Sequence, residues 1–208
     1  MPVTINGDGS ITGLSVGGLG DGGIVDTGSI ANGAVTNVKH GPGSVINVAS
    51  TKYRGVTSFA ADSNFTRNIS DINTTITTVG TNSTLLVNVY MMGEGNDNDS
   101  NYRCRLTRTI GGTETRLGGN DAGSRAGVFQ LPTEGHDTGN TAVTMTYINI
   151  ANYHDEPGTL ASGTAVTYKL YIQNQSSQTW YLNRTKNDTD NFTCERGLSY
   201  MTIMEIAA

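Results

Sequence analysis

Two histidines that each precede an aspartate are the residues whose types and spacing come nearest to catalytic chemistry. His136 precedes Asp137, and His154 precedes Asp155, so each histidine could act as a base beside an orienting carboxylate. Both pairs lie in clusters of turn residues, and neither has a supporting motif that supplies a nucleophile. The stretch AGSRAG is not G-x-S-x-G, because Ala122 occupies the first glycine position. We therefore expect no catalytic residue and no enzyme activity.

Acidic residues raise two further alternatives, a glycan-cleaving site and a cation site. Cleavage of a polysaccharide needs two carboxylates that face each other across a groove. The candidates for this, none of which the sequence pairs, are Glu94, Asp97, Glu134 and Glu156. The run from Asp97 to Asn101 has the first three ligand positions of a calcium loop, but it lacks the glycine at the sixth position and the glutamate at the twelfth. We expect a hairpin tip there and no metal site.

Neither a cofactor nor a nucleic acid is expected as a partner. Residues 18–23 match G-x-G-x-x-G, but that fingerprint needs a helix after it, and the sequence IVDTGSIANG that follows breaks a helix. The densest basic run contains Arg103, Arg105 and Arg108. It alternates with apolar residues as one solvated strand face would, and the net charge of the chain is −5.

The elements that must position any site in this chain are β-strands, which the alternation of apolar and polar residues indicates. The segment TLLVNVYMM places Leu85, Val87, Val89 and Met91 on one side of a strand, and the adjacent residues Trp180 and Tyr181 should face opposite ways. Turn clusters separate such segments, and no window has the period of a helix. We expect an all-β fold of eight to ten strands, an antiparallel β-sandwich of the jelly-roll type over residues 44–208.

The stretch from Gly7 to Val45 has a different composition, because glycine, a small residue and then Ile or Val recur five times there without any aromatic residue. Such strands lack the bulk to fold alone, since each buried methylene contributes only ~0.8 kcal/mol. We expect an ordered segment that intertwines with sister copies or binds a partner; a disordered linker is the alternative. The positions expected to make these contacts are Ile5, Ile11, Leu14, Val16, Leu19, Ile24, Val25, Ile30 and Val35.

The cellular setting follows from segments that the sequence lacks. No basic stretch followed by an apolar run starts at Met1, and no apolar run is long enough to cross a bilayer. We expect synthesis in a cytoplasm and no membrane insertion. Cys104 and Cys194 are the two cysteines, and we expect half-buried thiols there, with late pairing outside the cell as the alternative.

Short motifs at both ends of the chain form a recognisable set. At the N-terminus they are Thr4 to Gly7, Ile11 to Leu19, Ile24 to Asp26, Gly33 to Thr36, Lys39 and Gly43 to Val45. Further on, they are TLLVNVYM, GGNDAGSRAG, AVTYKLYIQ, YLNRT and RGLSYMTIMEIAA. Together these motifs resemble a family of virion proteins of marine phages, including cyanophages. Gly20 stands where the family often has proline, and the acidic loops at residues 97–99 and 188–190 are particular to this chain.

The resemblance implies a homotrimeric tail-fibre-like or adhesin-like component of a virion that acts by binding. Residues 1–43 would attach to other virion proteins, and residues 44–208 would form the head that contacts a host-surface glycan or protein. The residues expected to face a receptor, in loops at 94–101, 131–140 and 152–158, are Asp97, Asp99, His136, Tyr153 and His154. The alternatives are a capsid fibre or decoration protein that stabilises the shell and, more remotely, a glycan-degrading spike.

Overall fold

The structure, a computed structural model, describes residues 4–5, 11–12, 40–61, 63–96, 102–123, 125, 127–129, 146–174, 178–192 and 194–208. The chain divides into two compact units, Met1–His40 and Gly41–Ala208. In the first unit, β1 (Thr4–Ile5) pairs antiparallel with β2 (Ile11–Thr12). The functional boundary expected after residue 43 stays a prediction.

The second unit is built from β-strands, and its described residues contain one 3₁₀ turn at Ser70–Ile72 and no α-helix. The strands are β3 (Val45–Tyr53), β4 (Thr57–Ala60), β5 (Arg67–Asn68), β6 (Thr74–Thr77), β7 (Thr84–Gly95), β8 (Tyr102–Ile110), β9 (Thr113–Arg116), β10 (Thr146–Asp155), β11 (Ala165–Asn174), β12 (Thr179–Leu182) and β13 (Ser199–Ile206). The number of strands expected over residues 44–208, eight to ten, is too low, because the described residues of this unit contain eleven. Several of the additional strands have two to four residues, which is too short for alternation to mark them.

Two antiparallel sheets share one core. The first sheet has the order β3-β13-β7-β12-β4, and β10 pairs with β7. The second sheet has the order β5-β11-β8-β9, and β6 pairs with β11. Inward residues of both sheets belong to one buried cluster, so the all-β antiparallel sandwich predicted from the sequence is confirmed. Pairing between strands far apart in the chain is compatible with a jelly roll.

Burial alternates along the strands in the way that the alternation of apolar and polar residues predicts. Leu85, Val87, Val89 and Met91 of β7 are at most 1% exposed, and the residues between them are half-buried. Trp180 is fully buried while Tyr181 is half-buried, as expected for neighbours on a strand. The predicted orientation of these strands is therefore confirmed.

The arginine run on β8 does not form one solvated face. Arg108 has the same parity as the buried Cys104 and Leu106, and its side chain is only 14% exposed. Its guanidinium Nη1 lies 2.5 Å from Oδ1 of Asp155 on β10, in the other sheet. The expectation of a solvated face is wrong for Arg108, because its partner is a buried carboxylate that the sequence does not place beside it.

The two cysteines have different environments and both are free thiols. Cys104 is completely buried, and burial raises the pKa of its thiol. Cys194 is half-buried, as expected, and its Sγ lies 3.5 Å from Oγ1 of Thr189. The expectation of a half-buried thiol is wrong for Cys104, because the inward face of β8 belongs to the core.

Two of the stretches that carry the family resemblance contain residues that hold loops in place. In YLNRT, Asn183 has a φ of +57° and donates from Nδ2 to the carbonyl oxygens of Tyr53 and Gly55 at 2.9 Å each. In GGNDAGSRAG, Asp121 accepts from Arg116 Nη1 at 2.8 Å and from the Gly127 N–H at 2.7 Å. The hydrogen bond from Arg116 is the main cause that lowers the pKa of Asp121. These residues therefore have a structural role.

Candidate functional site

A β-bulge in β10 shapes the surface on which two predicted receptor-facing residues lie. Ile150 is opposite Val89 and Tyr153 is opposite Val87, so β10 has one extra residue between these pairs. Asn152 within the bulge has a φ of +52°, a conformation that asparagine tolerates better than most residues. Its backbone N–H donates to Oδ1 of Asn88 at 2.9 Å. The bulge is therefore fixed by a side chain of the neighbouring strand.

The bulge reverses which residues of β10 face the core. Before it, Ile148 and Ile150 are buried; after it, Asp155 is buried and His154 is exposed. His154 and Asp155 therefore lie on opposite faces of the strand, and Asp155 does not orient His154. The expectation that Tyr153 and His154 lie in a loop is wrong, because β10 continues through the bulge to Asp155.

The bulge borders a groove of about 480 Å³, lined by Phe129 and by residues 149–154. The Phe129 N–H donates to the Cys104 carbonyl oxygen at 2.7 Å, which fixes this residue beside β8 of the second sheet. The Phe129 and Tyr153 rings pack edge to face, with centroids 4.7 Å apart and planes at 85°. The groove therefore has an aromatic wall that joins the two sheets along the edge of β10.

The chemistry of the groove is that of a neutral binding surface. Burial, followed by the nearby Asp155 carboxylate, raises the pKa of Tyr153, so its phenol remains a hydrogen-bond donor at neutral pH. The side chains of Asn149 and Asn152 add amide donors and acceptors, and His154 is exposed at one end. No Asp, Glu, Lys or Arg is among the lining residues that the structure describes. Aromatic faces beside amides suit an uncharged ligand with many hydroxyl groups.

A buried polar cluster holds the end of β10 behind the groove. Asp155 is 3% exposed; its Oδ1 accepts from Arg108 on β8, and its Oδ2 accepts from the Tyr168 hydroxyl on β11, each at 2.5 Å. Burial and then the Asp155 carboxylate raise the pKa of Tyr168. Asp155 accepts from both partners and is closed to solvent, so this cluster connects the two sheets and positions the groove strand.

The described carboxylates that were candidates for glycan cleavage are too far apart to act on one bond. Asp155 is opposite Leu85, so Glu156 lies at that end of β7, and Glu94 stands nine residues further along, about 30 Å away. Retaining and inverting glycosidases place their two carboxyl groups no more than about 10 Å apart. Glu94 is also buried, and its Oε2 accepts from the Lys186 N–H at 2.5 Å.

The remaining predicted site residues fall partly within the structure. Ile5 and Ile11 are opposite each other in the β1–β2 pair. The expected receptor-facing residues Asp97, Asp99 and His136 lie outside the described residues. So do the other expected contact positions of the first unit, Leu14, Val16, Leu19, Ile24, Val25, Ile30 and Val35, and the glycine fingerprint at 18–23.

Phe129 and Asn149 are groove residues that the sequence reasoning missed, whereas Asn152 is the first residue of the expected loop 152–158. The bulge at Asn152 is indicated by a break in the alternation of β10. Buried residues have even numbers before it, Ile148 and Ile150, and an odd number after it, Asp155.

In the part of the chain that the structure describes, no three His, Cys, Asp or Glu side chains are grouped so as to hold a metal ion. No helix among those residues has the length and apolar character needed to span a membrane.

Comparison with known proteins gives no family for this chain. No protein-family model matches it, and no curated protein does. Among solved structures, one that matches is Eiger TNF from S. frugiperda, with a TM-score of 0.35 and 14% identity. That alignment covers 79% of this chain and 94% of the other. No functional conclusion follows from a similarity of this size.

Proposed function

We propose that this chain is a structural component of a phage virion, a homotrimeric tail-fibre-like protein that contacts the host surface by binding. The support is the resemblance of both ends of the sequence to marine phage virion proteins, together with a sandwich that presents a neutral groove at its side. Residues 1–43 attach the protein to other virion proteins or intertwine with sister copies. The protein works without catalysis, cofactor or nucleic acid.

The observation that carries the binding function is the lining of the groove at the β10 bulge. Phe129 and Tyr153 offer aromatic surface, and Asn149 and Asn152 offer amides. These groups lie where the bulge interrupts the regular pairing of β10 with β7. Bulges often re-aim side chains at functional sites, and this one turns Tyr153 towards Phe129. The ligand that fits this chemistry is an uncharged saccharide of the host surface.

Removing the aromatic and polar groups of the groove is expected to weaken binding to host polysaccharide. We expect Tyr153→Ala to lower the affinity of the full chain about tenfold, which corresponds to ~1.4 kcal/mol, because the saccharide loses one aromatic face. His154→Ala, at an exposed position with little effect on folding, is expected to cause a smaller loss. Titration calorimetry with polysaccharide purified from host cells measures both effects.

The matched control is Tyr171→Ala, a half-buried tyrosine on β11 in the other sheet. It should leave the affinity unchanged, and circular dichroism should show that all three variants remain folded. Equal affinity of the wild type, Tyr153→Ala and His154→Ala would refute the groove as the binding site. Release of reducing ends during the titration would refute binding without catalysis.

A further inference from the structure

The outer face of the first sheet carries an aromatic row and an aliphatic row, and the polar row Ser50, Thr202 and Asn88 lies between them. Tyr90 of β7 stacks on Tyr147 of β10, with ring centroids 5.8 Å apart, and on Tyr200 of β13, with centroids 5.6 Å apart. Tyr147 is 41% exposed, and Val48 of β3 is 55% exposed. We call this surface the tyrosine face; it consists of Val48, Leu86, Tyr90, Tyr147, Tyr200 and Met204.

The tyrosine face differs sharply in charge from the outer face of the second sheet. Among the outward positions of β3, β13, β10 and residues 84–92 of β7, Lys52 is the one Lys, Arg, Asp or Glu in the described structure. Outward positions of the second sheet carry Arg103, Arg105, Glu114 and Lys169, and Lys169 pairs with Glu114 at 2.9 Å. Stacked tyrosines and exposed aliphatic side chains on a face with almost no charge indicate a protein contact.

The size of the tyrosine face indicates a folded partner. Four strands at about 4.8 Å spacing and seven residues at about 3.4 Å give a surface of roughly 20 by 24 Å. A peptide that adds to a sheet pairs with its edge, whereas this surface is the face of the sheet. Stable contacts between folded proteins bury about 800 Å² on each partner, and this face, roughly 480 Å² in projection, is large enough to form the central part of such a contact.

Charge and chain connectivity point to another copy of this chain as the partner. The chain has a net charge of −5, so copies repel unless they meet through surfaces without carboxylates, and the tyrosine face is such a surface. A partner selected by charge would find little to pair with there. In addition, β3, at the edge of this sheet, starts at Val45, directly after the segment whose Ile and Val positions require sister copies in our reading of the sequence.

We propose that the tyrosine face is the contact surface through which copies of this chain associate. The proposal rests on the self-association in the proposed function and is independent of host binding. It assigns the contact to the head, whereas the sequence assigned it to the first 43 residues. Asn149 and His154, which line the groove, are opposite Tyr90 and Leu86 on the same outer face, so the contact borders the groove. The aromatic wall of Phe129 and Tyr153 lies on the other side of β10, because Tyr153 is opposite the inward residue Val87.

Introducing a charge into the tyrosine face tests the proposal in the full chain. Tyr147→Glu places a carboxylate at an exposed position of β10, and Val48→Glu does the same on β3. Thr75→Glu is the matched control, because Thr75 is exposed on β6 at the outer face of the second sheet. Light scattering coupled to gel filtration measures the mass, and circular dichroism checks folding.

We expect about three times 21.9 kDa for the wild type and Thr75→Glu, and a monomer or weakened trimer for Tyr147→Glu and Val48→Glu. If one face variant does not fold, the other decides. If folded Tyr147→Glu and Val48→Glu variants keep the trimeric mass of the wild type, the tyrosine face is not the contact surface. That result would leave the proposed trimeric virion protein unaffected. A monomeric wild type would overturn both the contact and the trimer. A trimeric wild type that does not bind host polysaccharide would refute the proposed function and leave the contact surface standing.

Discussion

Replacing Asp155 with alanine should lower the free energy of unfolding by about 3–5 kcal/mol, the typical cost of breaking a buried ion pair by removing one partner. The carboxylate accepts from Arg108 and Tyr168, so its loss leaves a largely buried guanidinium and a buried hydroxyl without their acceptor. These three residues belong to three strands and connect the two sheets. The variant should therefore loosen the sandwich at the end of the groove strand.

Urea denaturation followed by circular dichroism, at one fixed protein concentration, measures this effect. The control is the triple variant Asp155→Leu, Arg108→Met and Tyr168→Phe, which removes both charges and the hydroxyl that donates to Asp155 and fills the space with apolar atoms. Its stability should lie close to that of the wild type, because replacement of a buried ion pair by apolar residues is often neutral or stabilising. A loss below about 1 kcal/mol in the alanine variant would show that Asp155 is not a structural connection.

The second large effect is expected at Trp180, the only tryptophan in the chain. Trp180→Ala should cost about 3–5 kcal/mol, because the fully buried ring would leave a cavity in the core. The Tyr102 ring packs against it edge to face at 5.1 Å. A Cβ at Gly93 would lie only 2.5 Å from Trp180 Nε1, so glycine is needed for β7 to approach the ring this closely.

Trp180→Phe is the matched variant, because it keeps an aromatic ring against Tyr102. It also removes an indole N–H that has no hydrogen-bond partner among the described residues. Its destabilisation should be less than half that of Trp180→Ala. Urea denaturation by circular dichroism compares the two; equal losses would mean that the polar end of the indole, and not its volume, determines the stability.

Much of the sandwich could be predicted from the sequence, because its long strands bury one face. The pattern around Leu85, Val87 and Val89 needs no tertiary information, since alternate side chains of a strand point to opposite faces. The same holds for Trp180 and Tyr181. The short strands β5 and β6 could not be predicted, because two to four residues carry no period and their pairing with β11 is set by contacts far apart in the chain.

The candidate site was predicted only in part. Tyr153 and His154 were singled out as receptor-facing, and both lie in the groove, but their place on a bulged strand depends on the hydrogen bond from Asn152 to Asn88, 64 positions away. Asp155 could not be separated from a catalytic pair with His154 until the structure placed both residues on β10, where neighbouring side chains point to opposite faces. Arg108 has the sequence signature of a solvated residue, and only Asp155 in the other sheet explains its burial.

Immunogold labelling of intact phage particles, with antibodies against this chain, tests the central claim most directly. A virion protein that contacts the host through its head should give gold at the outer end of the tail. Gold spread over the capsid would contradict host contact and favour a decoration protein. Particles without gold, in a preparation whose tail and capsid controls are labelled, would contradict a place in the virion altogether.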